Sequence, residues 1–216
     1  MDPDLRRIRE HRVQYQTDGI DVGDLHPEPI EQWRRWHADA VELGVAEPNT
    51  MILSTVDLHG APDARAVLVR GAGPRGLVFF TNYESAKSHQ LTARPVAAAT
   101  FAWVDLHRQV RARGGVERVS DEESDDYFAT RPRATQIGAW ASPQSESLRD
   151  RDELLDRVRQ FEQQFADGPV PRPPHWGGWR LVPDEWEFWQ GRANRLHDRF
   201  RYQRDGAGWK VTRLAP

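Results

Sequence analysis

Close to its C-terminus the chain sets three arginines, a histidine and an aspartate in one run, Arg192-Ala193-Asn194-Arg195-Leu196-His197-Asp198-Arg199. The run follows an aromatic stretch, Glu185-Trp186-Glu187-Phe188-Trp189. Guanidinium forks match the paired oxygens of a phosphate or carboxylate, and broad aromatic faces match a planar ring. Together these residue types suit an anionic, flat ligand. Residue types alone leave a second reading open, in which the segment is an edge strand with solvated charges. In that reading Trp189 is a core aromatic, Arg195 is an ion-pair partner of Asp198, and His197 is a packing residue.

Composition narrows the classes of function. With 216 residues, nine Trp and eight Phe, the chain can bury a real core. A net charge of −3 argues against a general nucleic-acid binder, and the basic stretch Arg6–Arg12 reads as a solvated helix end. The absence of cysteine excludes thiolate nucleophiles, disulfides and Cys-ligated metals. The eight histidines show no paired metal-ligand spacing, so no metal is expected. No apolar run approaches the ~20 residues of a membrane helix, and the N-terminus lacks a signal-peptide apolar core. The expected location is cytoplasmic.

The chain divides into an N-terminal arm, residues 1–27, and a single domain over 28–216. The arm opens with a short helix through Tyr15 and is expected to be mobile unless docked. Ile30, Trp33, Trp36, Ala40 and Val41 recur at helical spacing between Pro29 and Leu43, with Gly44 just beyond. Strands are predicted at Thr50–Val56, Ala64–Arg70, Leu77–Asn82, Val96–Trp103 and Gln109–Val119, with a short helix at Ser85–Ala93. Ser120-Asp121-Glu122-Glu123 is a capping box that opens a helix carrying Tyr127. Residues 131–141 and 149–166 read as helices, and Pro169–Pro174 as a stiff linker. Strands return at Trp179–Val182, Glu185–Trp189, Phe200–Arg204 and Trp209–Leu214, with Asp205-Gly206 as a hairpin turn. Short connections favour an antiparallel meander or barrel with added helices, an α+β fold. Gly71-Ala72-Gly73-Pro74-Arg75-Gly76 has the spacing of a dinucleotide fingerprint. It runs into strand residues rather than opening a helix, so it is expected to be a hairpin loop.

The order of several segments resembles the pyridoxamine 5′-phosphate oxidase family. These are Arg65-Ala66-Val67-Leu68-Val69-Arg70 with Phe79-Phe80-Thr81-Asn82, Ser85-Ala86-Lys87, Arg108-Gln109-Val110, the block Tyr127 to Trp140, Ser142-Pro143-Gln144-Ser145, and the terminal Trp189-Gln190-Gly191 through Arg199 with Arg213-Leu214-Ala215-Pro216. The resemblance runs from about residue 45 to 216. It implies a homodimeric FMN-binding split β-barrel with FMN at the subunit interface, and places a dimerisation and substrate segment at 170–216. It assigns the cofactor to Arg65, Ala66, Val67, Leu68, Val69, Arg70, Phe80, Thr81, Lys87, Gln109, Gln144, Ser145, Trp189 and Arg199. Arg65 and Lys87 would meet the FMN phosphate. Arg70, Tyr127, Arg131 and Thr135 would hold a substrate phosphate. Arg195, Leu196 and His197 would face the substrate ring, with Arg195 and His197 as the catalytic pair, and Arg12 and Tyr15 would form a lid.

The implied reaction is oxidation of pyridoxamine or pyridoxine 5′-phosphate to pyridoxal 5′-phosphate. A hydride passes from the substrate C4′ to flavin N5, dioxygen is the acceptor, and hydrogen peroxide is released, with ammonia from the amine. Three positions depart from the family pattern: Arg70 where Lys is usual, Thr135 where Ser is common, and Ala86 where a basic residue is common. Two rivals stand beside this reading. One is a related FMN oxidase acting on a phenazine precursor; the other is a protein that binds flavin or pyridoxal phosphate without catalysis.

Overall fold

The structure is a computed structural model that describes residue 10 and residues 13–216. The elements are α1 (Pro29–Glu42), β1 (Thr50–Val56), β2 (Pro62–Leu68), β3 (Gly71–Gly73), β4 (Gly76–Asn82), α2 (Ala86–Ala93), β5 (Val96–Trp103), β6 (Arg108–Arg118), α3 (Asp121–Ala129), α4 (Arg133–Ala141), α5 (Arg151–Gln164), β7 (Trp176–Gln190), β8 (Asp198–Asp205) and β9 (Gly208–Leu214). The ladder order is β2-β1-β5-β6-β7-β4-β3, and β7 also carries β8, which carries β9. The pairs β1/β2, β3/β4, β4/β7, β7/β8 and β8/β9 are antiparallel. The chain forms two compact units, one of Met1–Pro48, Thr100–Arg111 and Glu185–Pro216, the other of Asn49–Ala99 and Ala112–Asp184. No described helix is long and apolar enough to cross a membrane.

In the Asn49–Ala99/Ala112–Asp184 unit, β1 alternates as its sequence requires, burying Met51, Leu53 and Thr55 on one face. The glycine-rich segment is the β3/β4 hairpin, closed by Gly73 opposite Gly76, so no helix follows it. Gly76 has φ of +123°, and a Cβ there would fall 2.0 Å from the Leu181 carbonyl oxygen; only glycine fits. Ser120 caps α3 by accepting the Glu123 N–H. The Glu123 carboxylate turns to the buried Arg180 instead of completing the capping box. Phe128, Ile137, Ala139, Val170 and Trp176 form a core cluster, against which Phe80, Tyr127, Trp140, Val158, Phe161 and Phe165 pack.

In the other unit, α1 starts with Pro at its first turn and buries Ile30, Trp33, Trp36 and Ala40. Trp33 packs on Phe101 and Trp36 on Phe188. The two predicted strands around Pro183 are one continuous β7. Its ladder with β4 ends at Leu181 and its ladder with β8 begins at Glu185, so Pro183 falls between those two ladders, where neither of them needs its missing N–H, while β6 continues alongside. The β8/β9 turn is Gly206-Ala207, closed by Asp205 opposite Gly208, one residue later than Asp205-Gly206. Val13–Ile20 is neither helix nor strand, so the predicted N-terminal helix does not reach Tyr15. This part of the arm is docked: Tyr15 stacks on His107 at 4.1 Å, and the Ile20 N–H reaches Asp198 at 3.2 Å.

Candidate active site

The first site lies in the Asn49–Ala99/Ala112–Asp184 unit, a cavity of about 770 Å³. Strand β2 contributes Arg65, Ala66, Val67 and Leu68, β4 contributes Phe80 and Thr81, and Lys87 comes from the first turn of α2. Arg70, Tyr127, Arg131, Thr135 and Gln144, also expected from the sequence, line the same cavity, whereas Gln109, Trp189 and Arg199, expected at the cofactor, do not. Val69 does not line the cavity; it is buried, and its N–H bonds the Asn49 carbonyl. Ser145 lines a neighbouring recess with Gln144, and its hydroxyl accepts the Ala86 N–H at 3.2 Å at the start of α2.

The charges in this cavity fall into two groups. At one, Lys87 Nζ lies 3.2 Å from Thr81 Oγ1, 3.3 Å from Ser85 Oγ and 2.9 Å from Gln144 Oε1. These are neutral oxygens, and no carboxylate pairs with Lys87 among the described residues. Burial, and then the charge of Arg65, lower Lys87 to about 8, against a smaller opposing pull from Asp63. Arg65 itself is engaged, with an ion pair to Asp63 and hydrogen bonds to the Leu53 carbonyl, Thr55 Oγ1 and Gln90 Oε1. At the second group, Arg131 lies over the Trp176 ring at 4.6 Å and the Phe128 ring at 5.4 Å. Burial lowers its pKa; Tyr127 opposes that shift and Arg70 adds to it. Arg131 Nη1 is buried without a hydrogen-bond partner. An unpaired buried guanidinium nitrogen is costly, and an anion would satisfy it. Thr135 Oγ1 meanwhile donates to the Pro132 carbonyl at 2.7 Å. An aromatic wall lines the same cavity, with Phe80 stacked on Tyr127 at 4.0 Å and on Trp176 at 5.6 Å.

The second site lies in the other unit. Val13, Gln14, Tyr15, Arg192, Asn194, Arg195 and His197 line it. Asn194 and Arg195 have φ of +56° and +62°, a conformation that costs roughly 1–3 kcal/mol each in non-glycine residues and marks a turn held by its surroundings. His197 Nδ1 accepts the Arg192 N–H at 3.0 Å, so the neutral ring carries its hydrogen on Nε2. Burial, and then Arg195, lower the His197 pKa, with Asp198 opposing. Trp189 packs on His197 at 4.6 Å. Asp198 pairs with Arg213 at 2.7 Å and Arg192 at 3.3 Å, and no carboxylate pairs with Arg195 among the described residues. Arg195 is exposed, as is Leu196. Arg199 bonds Glu187 and the Ala215 carbonyl, each at 2.9 Å. Gln109 and Trp189 belong to this unit and are half-buried. Arg12 lies outside the described residues.

The residues of the first cavity that the sequence did not single out are Asn82, Pro132, Ala134, Gly138, Ala139, Ser142 and Trp176. Trp176 carried a signal, since a lone aromatic just past a proline-rich linker opens a strand. Asp63, the carboxylate that occupies Arg65, carried none.

Residues 38–165 match the family described as pyridoxamine 5′-phosphate oxidase, and residues 176–216 match the pyridoxine 5′-phosphate oxidase C-terminal dimerisation region. The chain is 52% identical over 215 residues to the pyridoxine/pyridoxamine 5′-phosphate oxidase of Burkholderia mallei, spanning 98% of this chain and 100% of the relative. It is 51% identical over 213 residues to the protein of that name from Paraburkholderia phymatum, spanning 98% of this chain and 100% of that one. Among solved structures, PhzG from Burkholderia lata in complex with tetrahydrophenazine-1-carboxylic acid superposes with a TM-score of 0.86 at 32% identity, over 92% of this chain and 98% of the other. A related FMN-binding protein from Nostoc punctiforme shares the fold, with a TM-score of 0.68 at 19% identity, over 85% of this chain and 97% of that one. The antiparallel sheet with its flanking helices is thus a split barrel, and the chain belongs to the pyridoxamine 5′-phosphate oxidase family of oxidoreductases.

Proposed function

We propose that the protein oxidises pyridoxamine and pyridoxine 5′-phosphate to pyridoxal 5′-phosphate with bound FMN and dioxygen, as a cytoplasmic homodimer with FMN at the subunit interface. One observation carries this reading: the cavity holds two cation groups, Lys87 with Arg65 and Arg131 with Arg70, in which burial, and to a lesser degree the neighbouring like charge, lowers the pKa of Lys87 and of Arg131. A cofactor phosphate and a substrate phosphate would relieve both groups. The residues fit FMN, because the Lys87 ammonium has only neutral oxygens around it.

When bound, FMN supplies the two-electron acceptor that takes a hydride from the substrate carbon and passes the electrons to dioxygen. The chain supplies position. Arg65, Lys87, Gln144 and Ser145 hold the cofactor phosphate, and Arg70, Tyr127, Arg131 and Thr135 hold the substrate phosphate. Arg195 presents, from a turn with positive φ, a guanidinium that no carboxylate pairs with among the described residues, and so can meet the substrate. His197, neutral at pH 7, offers its Nε2–H to the substrate ring while Arg192 fixes its orientation. Gln109, Trp189 and Arg199 serve the flavin. The similarity to PhzG raises a phenazine-type substrate as the alternative; two cations together, Arg131 and Arg70, favour a doubly charged phosphate over a single carboxylate.

The test is a visible spectrum of the FMN-loaded protein before and after anaerobic pyridoxine 5′-phosphate. Bleaching of the flavin bands, with recovery in air and formation of pyridoxal 5′-phosphate, is expected. Bound flavin that stays oxidised would refute this substrate.

A further inference from the structure

Of the 30 Lys and Arg residues in the chain, only Lys87 and Lys210 are lysines. Arginine would bind a phosphate at position 87 at least as well. What lysine adds is an amine that can lose its proton and act as a nucleophile. Lys87 has the surroundings for this. It is half-buried, three neutral oxygens surround its Nζ within 3.3 Å, and burial with Arg65 brings it to about 8. The same cavity offers Arg70 and Arg131 for a phosphate, and the wall of Phe80, Tyr127 and Trp176 for an aromatic ring.

We propose that the FMN-free chain binds a phosphorylated aromatic aldehyde in this cavity and holds it as an imine on Lys87. The inference rests on the function proposed above, whose product belongs to this class of aldehyde. Neutral Nζ adds to the carbonyl carbon to give a carbinolamine. Loss of water then forms the C=N bond, with both N–H hydrogens leaving on the carbonyl oxygen. No oxidant or reductant is consumed. The adduct uses the amine proposed for the cofactor phosphate, so product aldehyde and FMN compete for the newly made chain. Cofactor loading therefore slows as product accumulates.

The experiment treats the full FMN-free chain with pyridoxal 5′-phosphate at pH 8, traps any imine with borohydride, and maps the label by mass spectrometry. Parallel samples contain pyridoxal, or excess FMN, or the Lys87→Arg variant, whose folding is checked by circular dichroism and thermal unfolding. The expected result is one phosphopyridoxyl group, on Lys87. It should exceed the label on Lys210 by at least about tenfold, because Lys87 alone of the two lysines lines the cavity that offers Arg70 and Arg131 to the phosphate. FMN should block the label, and pyridoxal and Lys87→Arg should lack it. Equal labelling of Lys210, or labelling of Lys87 that FMN leaves unchanged, would overturn the proposal. The same preparation, loaded with FMN and given pyridoxine 5′-phosphate, reports separately on the proposed function. A chain that labels at Lys87 yet oxidises nothing would refute that function and leave the adduct standing.

Discussion

Replacing Arg131 by Met should push stability and binding in opposite directions. The buried Nη1 of Arg131 has no hydrogen-bond partner, and such a group costs about 1–3 kcal/mol. Against this stand its contacts with Trp176 at 4.6 Å and Phe128 at 5.4 Å, worth about 0.5–2 kcal/mol. Methionine keeps much of the apolar stem packing. The ligand-free variant should therefore gain roughly 1 kcal/mol, a rise in Tm of about 2–4 °C for a chain of this size. The substrate phosphate, in turn, would lose two charge-assisted hydrogen bonds, each worth about 1.5–3 kcal/mol. Its affinity should fall by at least ~100-fold. Thermal unfolding of the apo protein and a titration with pyridoxine 5′-phosphate measure the two sides. A Tm lowered by several degrees with unchanged substrate affinity would show that Arg131 is a packing strut, and the phosphate assignment would fail.

Three other variants or conditions probe the rest of the site. Lys87 titrates at about 8 and phosphate binding favours its charged form, so the Kd for FMN should rise about tenfold from pH 7 to pH 9; fluorescence titration should find that slope absent in Lys87→Arg, and an unchanged slope would exonerate Lys87. Arg195→Leu should lower turnover by about 100-fold or more through lost positioning while FMN occupancy stays within about twofold, and equal losses of both would remove its catalytic role. His197 is held below its ordinary value of 6.5, so the fold favours the neutral ring; the stability it contributes is complete above pH 6.5 and declines as the pH falls below, because the unfolded chain takes up the proton first. Thermal unfolding between pH 5 and 8 should show a smaller acid loss in His197→Gln, and identical profiles would contradict the assignment.

Much of the fold was legible because its elements carry strong local signals. The β1 strand and β5 strand fall at their predicted bounds, and α1 shows its Trp33, Trp36 and Ala40 stripe with proline at its start. The Pro183 interruption misled because a proline's missing N–H matters only where a ladder needs it, and the change of ladder partner is not local information. The cationic groups of the first cavity were legible from residue type and order. The engagement of Arg65 by Asp63 was not, because two exposed-looking residues on one strand give no sign that they share a phosphate-sized space. The Ser120 cap was visible, but the turn of Glu123 toward Arg180 depends on a strand more than fifty residues away. The positive φ of Asn194 is compatible with its type; that of Arg195 is imposed by the turn, and nothing in the sequence marks it.

The central claim is that the cavity recognises a phosphorylated substrate and delivers it to the flavin. The most direct test is the rate of anaerobic flavin reduction by pyridoxine 5′-phosphate against that by pyridoxine, in the same FMN-loaded protein. With Arg70 and Arg131 serving the substrate phosphate, the phosphorylated compound should be favoured by at least about 100-fold in apparent second-order rate, the equivalent of two charge-assisted hydrogen bonds. Equal rates for the two compounds, or reduction by neither, would contradict the account.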